Sequence, residues 1–185
     1  SGVFERMKEG QVGAITIGTD LESSKRAIKI AEENEGVWAC IGMHPIQEKG
    51  GLKDIERSEN KDFDEEGFAE LVNGKKVVAI GECGLDWFRI PEDQMKEERR
   101  RQTSIFEAQI NFALKNDKPL MLHCRNSYND VLDILEVYKR ESGDKLRGNS
   151  HFFAGNVEQA RRFIDIGFTL SFTGVITFAR DYDEV

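Results

Sequence analysis

The chain contains three histidines, and each lies within or just after a short apolar run: His44, His123 and His151. Glu82 ends another such run. Imidazole and carboxylate groups together suit Zn²⁺, Mn²⁺ and similar divalent cations, and a carboxylate can bridge two of them. If the runs containing Glu82, His123 and His151 are neighbouring strands about 4.8 Å apart, their side chains converge on one site. A single histidine in such a place is more often a core residue, but three together with a glutamate favour a metal centre.

The elements that would position these residues are short β-rich runs that alternate with amphipathic segments. The runs are almost continuously apolar, which is typical of parallel strands covered by helices. The predicted strands are residues 12–18, 37–42, 77–82, 120–124, 149–153 and 168–173. The predicted helices are residues 21–35, 64–72, 94–116, 129–140 and 157–166, with candidate N-caps at Asp20, Asn129 and Asn156.

Repeated βα units form either a doubly wound sheet or a (β/α)₈ barrel. No GxGxxG or GxxxxGK[ST] motif follows the first strand, which argues against a nucleotide-binding sheet. Residues whose side chains can take part in catalysis or metal binding instead lie on or just after several different strands: His44, Glu82, Asp86, His123, Arg125 and His151. Because a barrel assembles its active site from the carboxyl ends of many strands, this distribution predicts a single α/β domain of the TIM-barrel type over residues 1–185.

The longest predicted helix has a face that we expect to pack on the sheet. Its members recur at helical spacing: Gln102, Phe106, Gln109 and Ala113. The mixed-sign charge run at residues 97–101 predicts a solvated stretch, with a nucleic-acid contact from its arginines as the alternative.

Several segments carry a family resemblance in their order along the chain. They are residues 42–45 (GMHP), 80–87 (IGECGLDW), 119–125 (PLMLHCR), 151–155 (HFFAG) and 174–178 (GVITF), together with Gln102, Phe106 and Gln109. This set resembles the TatD family of metal-dependent deoxyribonucleases. The resemblance implies an amidohydrolase-type TIM barrel whose two divalent ions (Mg²⁺, Mn²⁺ or Zn²⁺) activate water to hydrolyse DNA, as a 3'-5' exonuclease acting on single strands or 3' ends does.

The resemblance also assigns roles to individual residues. It implies that Glu82 is a bridging carboxylate and that His123 and His151 are metal ligands. It implies catalytic roles, in binding phosphate or orienting ligands, for three further residues: His44, Asp86 and Arg125. A guanidinium beside a metal suits bidentate phosphate binding. The structural alternatives are a turn at His44 fixed by Pro45, a loop cap at Asp86 and a surface ion pair at Arg125.

Two departures from the family pattern affect the predicted function. Residues 151–155 read HFFAG where the family usually reads His-Cys-Phe-Ser/Thr-Gly, which changes the neighbours of His151 and therefore the fit of a substrate. The family also carries metal ligands in a first-strand His-x-His and a last-strand Glu-Thr-Asp, and neither motif occurs in this sequence. We therefore expect an incomplete barrel of six βα units that lacks the first and last strands.

Two alternatives to a deoxyribonuclease remain open. The same metal site can attack an ester such as that of an aminoacyl-tRNA, because nothing in the sequence separates ester from phosphodiester substrates. The chain can also be a non-catalytic fragment or binding module, because the two absent motifs would supply much of a two-metal site.

Composition excludes other classes of protein. A hydrophobic fraction of 39% over 185 residues supports a folded core, and no apolar run approaches the roughly 18 residues of a membrane span. A net charge of −8 gives no general attraction to nucleic acid, so such binding must be local. Three cysteines without a CxxC pair (Cys40, Cys83 and Cys124) indicate small buried side chains in a reducing compartment. Without a charged-then-apolar leader, we expect a cytoplasmic protein, or a nuclear one in a eukaryote.

Overall fold

A computed structural model describes residues 2–46, 62–88 and 90–178, and the backbone of two short strands between the first two ranges. Along the chain the elements are α1 (Gly2–Glu9), β1 (Ala14–Ile17), α2 (Leu21–Glu33), β2 (Val37–Ile41), β3 (Glu48–Lys49), β4 (Glu56–Arg57), α3 (Glu65–Ala69), β5 (Val77–Asp86), α4 (Met95–Lys115), β6 (Leu120–Arg125), α5 (Tyr128–Ser142), β7 (Gly148–Ser150), α6 (Val157–Asp165) and β8 (Phe168–Leu170). Short 3₁₀ turns occupy Gly143–Lys145 and Gly174–Thr177.

Six parallel strands form one sheet in the order β1-β2-β5-β6-β7-β8, while β3 and β4 form a separate antiparallel pair that was not predicted. Each strand of the sheet lies beside the sheet strand that follows it in sequence. The sheet therefore winds in one direction, as a barrel wall does, whereas a doubly wound sheet reverses its order at a switch point. The six predicted strands and the α/β fold of the TIM-barrel type, in six βα units, are confirmed.

The core forms where the helices pack on the strands. Its fully buried side chains include Ile41, Ile80, Leu85, Leu120 and Leu122 from the strands and Phe106, Ile110, Phe112, Leu132 and Phe163 from the helices. The predicted sheet-facing side of α4 is confirmed, because Gln102, Phe106 and Gln109 are completely buried. The three cysteines are buried as predicted, and burial raises the pKa of each thiol, so all three stay protonated at neutral pH.

Two of the three predicted N-caps are confirmed. Asp20 accepts a hydrogen bond from the Ser23 amide, and the Ser23 hydroxyl accepts one from the Asp20 amide, which closes a capping box at α2. Asn156 forms the same arrangement at α6. The prediction at Asn129 is wrong, because α5 begins at Tyr128 and Asn129 lies inside its first turn.

Gly84 sets the distance between the two strands that carry the candidate site. It lies opposite His123 in the β5–β6 register and has a φ of 137°. A Cβ atom at this position would collide with the carbonyl oxygen of His123, so only glycine lets the strands run side by side here. As a result β5 continues past its predicted end at residue 82 and brings Asp86 level with Arg125.

Within the described part of the chain, no helix combines the length and the apolar character needed to cross a membrane.

Candidate metal centre

His123 lies between two carboxylates. Its Nδ1 atom is 3.1 Å from Oε1 of Glu82, and its Nε2 atom is 2.8 Å from Oδ2 of Asp86. The His44 ring packs edge-on against it, with 4.3 Å between the ring centroids. The side chains of Glu82, Asp86 and His123 are only 17%, 6% and 21% exposed. The structure thus brings together four residues predicted from the sequence, from the ends of three neighbouring strands.

The strands explain why these side chains share one face. Along β6, Leu122 and Cys124 are buried in the core while His123, between them, points to the opposite side of the sheet. Glu82 has no partner in the register between β5 and β6, because the register shifts between Gly81 and Cys83. Such a bulge re-aims one side chain, and here it directs the Glu82 carboxylate to the His123 ring while Cys83 stays in the core.

The donor set fits a divalent cation. His44, Glu82 and His123 each offer a ligand atom, and these atoms lie within 4.8 Å of one another. The backbone of Ile46 engages Nδ1 of His44, so Nε2 is the nitrogen that can bind a metal. Asp86 holds one ring nitrogen of His123 and leaves the other on the Glu82 side, which is the carboxylate–histidine arrangement that orients metal ligands in proteins.

Burial and the neighbouring charges shift the pKa values of three of these residues. Burial lowers the pKa of His123, but its hydrogen bonds to Asp86 and Glu82 outweigh burial and raise it to about 9. Burial raises the pKa of Glu82, yet the His123 hydrogen bond and the charges of the histidines bring it below its usual range. Burial, and then the proximity of His123, lowers the pKa of His44. At neutral pH, Glu82 is therefore an anion and His44 a neutral imidazole, which are the forms that bind cations, whereas His123 carries a proton that a bound cation would displace.

The cluster opens into a cavity of about 440 Å³ that His151 and Arg125 also line. The strand predicted over residues 149–153 ends at Ser150, so His151 stands on the loop after β7 and is exposed. The structure groups His44, rather than His151, with Glu82 and His123 among the described residues, and a ligand role for His151 stays a prediction. The Arg125 guanidinium carbon lies 3.5 Å from the centroid of the Phe88 ring. Within the described part of the chain, Arg125 forms no ion pair with a carboxylate, which was the structural alternative for this residue.

Residues of α4 that sequence reasoning did not assign to the site also contact it. Gln102 and Gln109 bond to the backbone at Asp86 and Met43, although the sequence indicated only a packing role. The prediction of a solvated charge run at 97–101 is wrong in part. Glu98 and Arg101 have side chains only 11% and 20% exposed, and Arg101 donates to the carbonyl of Pro45 beside His44. The sequence signal that could have predicted this contact was the pair of glutamines, Gln102 and Gln109, on an otherwise apolar helix face.

A singly wound parallel βα sheet with histidines and carboxylates at the carboxyl ends of its strands defines a metal-binding protein of the TIM-barrel class. The chain belongs to the TatD family, because the family model described as TatD related DNase matches residues 1–185. The family membership that the sequence motifs predicted is thereby confirmed.

Individual relatives agree with the family. An "Uncharacterized metal-dependent hydrolase YabD" from Bacillus subtilis is 36% identical over 182 residues, which are 95% of this chain and 63% of that protein. A "3'-5' ssDNA/RNA exonuclease TatD" from Citrobacter koseri is 31% identical over 173 residues, which are 93% of this chain and 60% of the relative. The crystal structure of YjjV, a TatD homologue from Escherichia coli, superposes with a TM-score of 0.73 at 28% identity and covers 96% of this chain and 62% of that one. The chain thus spans about three fifths of the length of these relatives.

Proposed function

We propose that this protein is a divalent-metal-dependent hydrolase that cleaves nucleic-acid phosphodiesters. Its proposed substrate is single-stranded DNA, which it degrades from the 3' end. The observation that carries the proposal is the placement of His123 between Glu82 and Asp86 beside His44, in a cavity that Arg125 also lines. The family membership supports the class of reaction, and the name of the Citrobacter relative supports the substrate.

In this proposal Glu82, His44 and His123 would hold the cation, and His151, which lines the same cavity, would be a further ligand. A divalent cation held there supplies Lewis acidity and makes water nucleophilic at neutral pH. Mg²⁺, Mn²⁺ and Zn²⁺ are the candidates, and Glu82 is the residue that would also help to hold a second ion. Asp86 accepts the hydrogen bond of one His123 nitrogen and so fixes the orientation of the ring.

Arg125 is the residue that would bind the substrate phosphate. Its contact with Phe88 uses the flat face of the guanidinium, whereas the N–H groups that grip a phosphate lie in the guanidinium plane. Because the whole chain carries a net charge of −8, attraction of DNA depends on such local cations. The buried, unpaired thiols suit the reducing cytoplasm, where we place the protein.

The test begins with metal binding. The chain, freed of metal with a chelator and dialysed against Mn²⁺ or Zn²⁺, is compared with Glu82→Gln and with Glu32→Gln, a matched change at an exposed position of α2. Glu82→Gln removes the only carboxylate of the ligand group, so we expect it to lose bound metal while Glu32→Gln retains it. Equal metal content in the two variants, measured by elemental analysis, contradicts the ligand assignment.

Activity is then measured on single-stranded DNA labelled at its 3' or 5' end, with the Citrobacter relative as the positive control. Early release of the 3' label, lost in Glu82→Gln, supports the proposed nuclease. Hydrolysis of an aminoacyl-tRNA ester without DNA cleavage favours the ester alternative. A metal-loaded chain that cleaves neither substrate, while the relative cleaves DNA, identifies the non-catalytic alternative and overturns the proposed activity of this chain.

A further inference from the structure

Two glutamines of α4 lie completely buried on the face that packs against the sheet. Gln102 accepts a hydrogen bond from the Asp86 amide at 2.8 Å and donates one to the Asp86 carbonyl at 3.1 Å. Gln109 accepts from the Met43 amide at 2.8 Å and donates to the Met43 carbonyl at 2.9 Å. Each amide group thus pairs with both backbone polar groups of one residue, as a neighbouring strand would.

The two backbone positions held in this way adjoin the candidate metal centre. The Asp86 carboxylate bonds to His123, and Met43 directly precedes His44. Gly42 leaves room for the contact between Gln109 and the Met43 backbone, because a Cβ atom at position 42 would lie only 2.7 Å from Oε1 of Gln109. Just after His44, Arg101 donates to the Pro45 carbonyl at 2.7 Å. One helix therefore fixes the backbone on both sides of His44 and at Asp86.

Packing alone does not explain glutamine at these positions. An apolar side chain of the same size would fill the space, while burying an amide is costly unless it is fully hydrogen-bonded. The bonds also join segments from different strands, since Met43 follows β2 and Asp86 ends β5. Because His44 follows Met43 and the Asp86 carboxylate bonds to the His123 ring, the spacing of these two segments affects the distance between the two rings, which meet edge-on.

We propose that Gln102 and Gln109 are positioning residues of the metal centre, which align the His44 loop and the Asp86–His123 pair through one rigid helix. The inference rests on the proposed metal site. Neither glutamine touches the cation, so each acts through the backbone that it holds, Gln102 on the orientation of His123 and Gln109 on the position of His44.

The test uses Gln102→Met and Gln109→Met in the full chain, because methionine keeps the length and flexibility of glutamine but forms neither hydrogen bond. Phe106→Leu is the matched control, since Phe106 lies between the glutamines on the same buried face and makes no polar contact with the site. Thermal unfolding establishes the loss of stability in each variant. Titration with Co²⁺, followed by its visible absorption, reports affinity and coordination geometry together.

We expect each Gln→Met variant to bind Co²⁺ about tenfold to a hundredfold more weakly than the unmodified chain, with altered absorption bands, as for other outer residues that orient metal ligands. Phe106→Leu should lose stability yet keep the affinity and the bands. If Gln102→Met does not fold, Gln109→Met decides by the same criteria. Variants that bind as the unmodified chain does, or a control that weakens in parallel with them, overturn the positioning role alone. An unmodified chain that does not bind Co²⁺ overturns the proposed metal site and this inference together.

Discussion

Replacing Asp86 by asparagine tests the electrostatics of the site directly. Asparagine keeps the shape of the side chain and the oxygen that accepts from the Phe88 amide, but it removes the negative charge beside Nε2 of His123. Burial lowers the pKa of His123, and the hydrogen bond with Asp86 raises it more than the hydrogen bond with Glu82 does. In Asp86→Asn we therefore expect the pKa of His123 to fall from about 9 towards 6.5.

The size of the effect on stability follows from the same shift. A histidine pKa raised from 6.5 to about 9 on folding corresponds to about 3 kcal/mol of stability in the metal-free protein. Because the folded-state pKa lies above the unfolded one, this stability is fully present below pH 6.5 and is lost as the pH rises through about 9. Asp86→Asn should remove part of it, on the order of 2 kcal/mol at pH 6, and almost none at pH 10.

Two measurements check this prediction on protein kept free of metal by a chelator. NMR titration of the imidazole protons gives the pKa of His123, assigned with a His123→Gln variant, and urea unfolding at pH 6 and pH 10 gives the stability difference. Asp165→Asn, at an exposed position of α6, is the control and should leave both quantities unchanged. A His123 that titrates near 6.5 in the unmodified protein, or titrates alike in Asp86→Asn, would refute the reasoning.

Three further predictions concern the backbone, the cation and the phosphate. Gly84→Ala should destabilise the protein by about 3 kcal/mol or more in urea unfolding, because the new Cβ atom would collide with the carbonyl of His123. Gly36→Ala is the control, since Gly36 has a φ of 73° but open space around it, and it should destabilise the protein by only about 1 kcal/mol. Equal losses of stability in the two variants would contradict the argument that the strands approach closely at Gly84. Addition of Mn²⁺ at a hundred times its dissociation constant should stabilise the unmodified protein by about 2.7 kcal/mol and raise its Tm, whereas the Tm of Glu82→Gln should not rise. A similar rise of Tm in the unmodified protein and in Glu82→Gln would show that the cation binds elsewhere. Arg125→Lys should raise KM for single-stranded DNA about tenfold or more while kcat changes little, since lysine cannot reproduce the planar fork; an unchanged KM would show that Arg125 does not bind the phosphate.

The sequence predicts the elements of this fold well because their signals are local. Continuous apolar runs fix the six strands, and Asp20 and Asn156 mark where two helices begin. The bulge at Glu82 and the extension of β5 to Asp86 leave no comparable local signal, since both depend on how closely β6 can approach Gly84. The cap predicted at Asn129 failed for a related reason, because the hydroxyl of Ser127 turns inward to the Leu85 carbonyl and α5 starts one residue earlier than predicted.

The candidate site was predictable as a set of residue types but not as a geometry. Three neighbouring strand ends bring His44, Glu82 and His123 together because parallel strands end at one edge of the sheet. The sequence could not show that a bond to Ile46 fixes one nitrogen of His44. It also could not show that Gln102 reaches the Asp86 backbone, because hydrogen bonds between distant segments appear only once the helix has packed on the sheet.

The pairing of His123 with Glu82 and Asp86 makes cation uptake an exchange reaction. At neutral pH the raised pKa leaves a proton on His123, so one positive charge already balances part of the two carboxylates. A divalent cation that binds through His123 must displace that proton, which is released to the solvent. Below about pH 9 the apparent affinity for the cation should therefore rise about tenfold with each pH unit. The pH and the cation concentration together then set the fraction of the protein that has a cation bound.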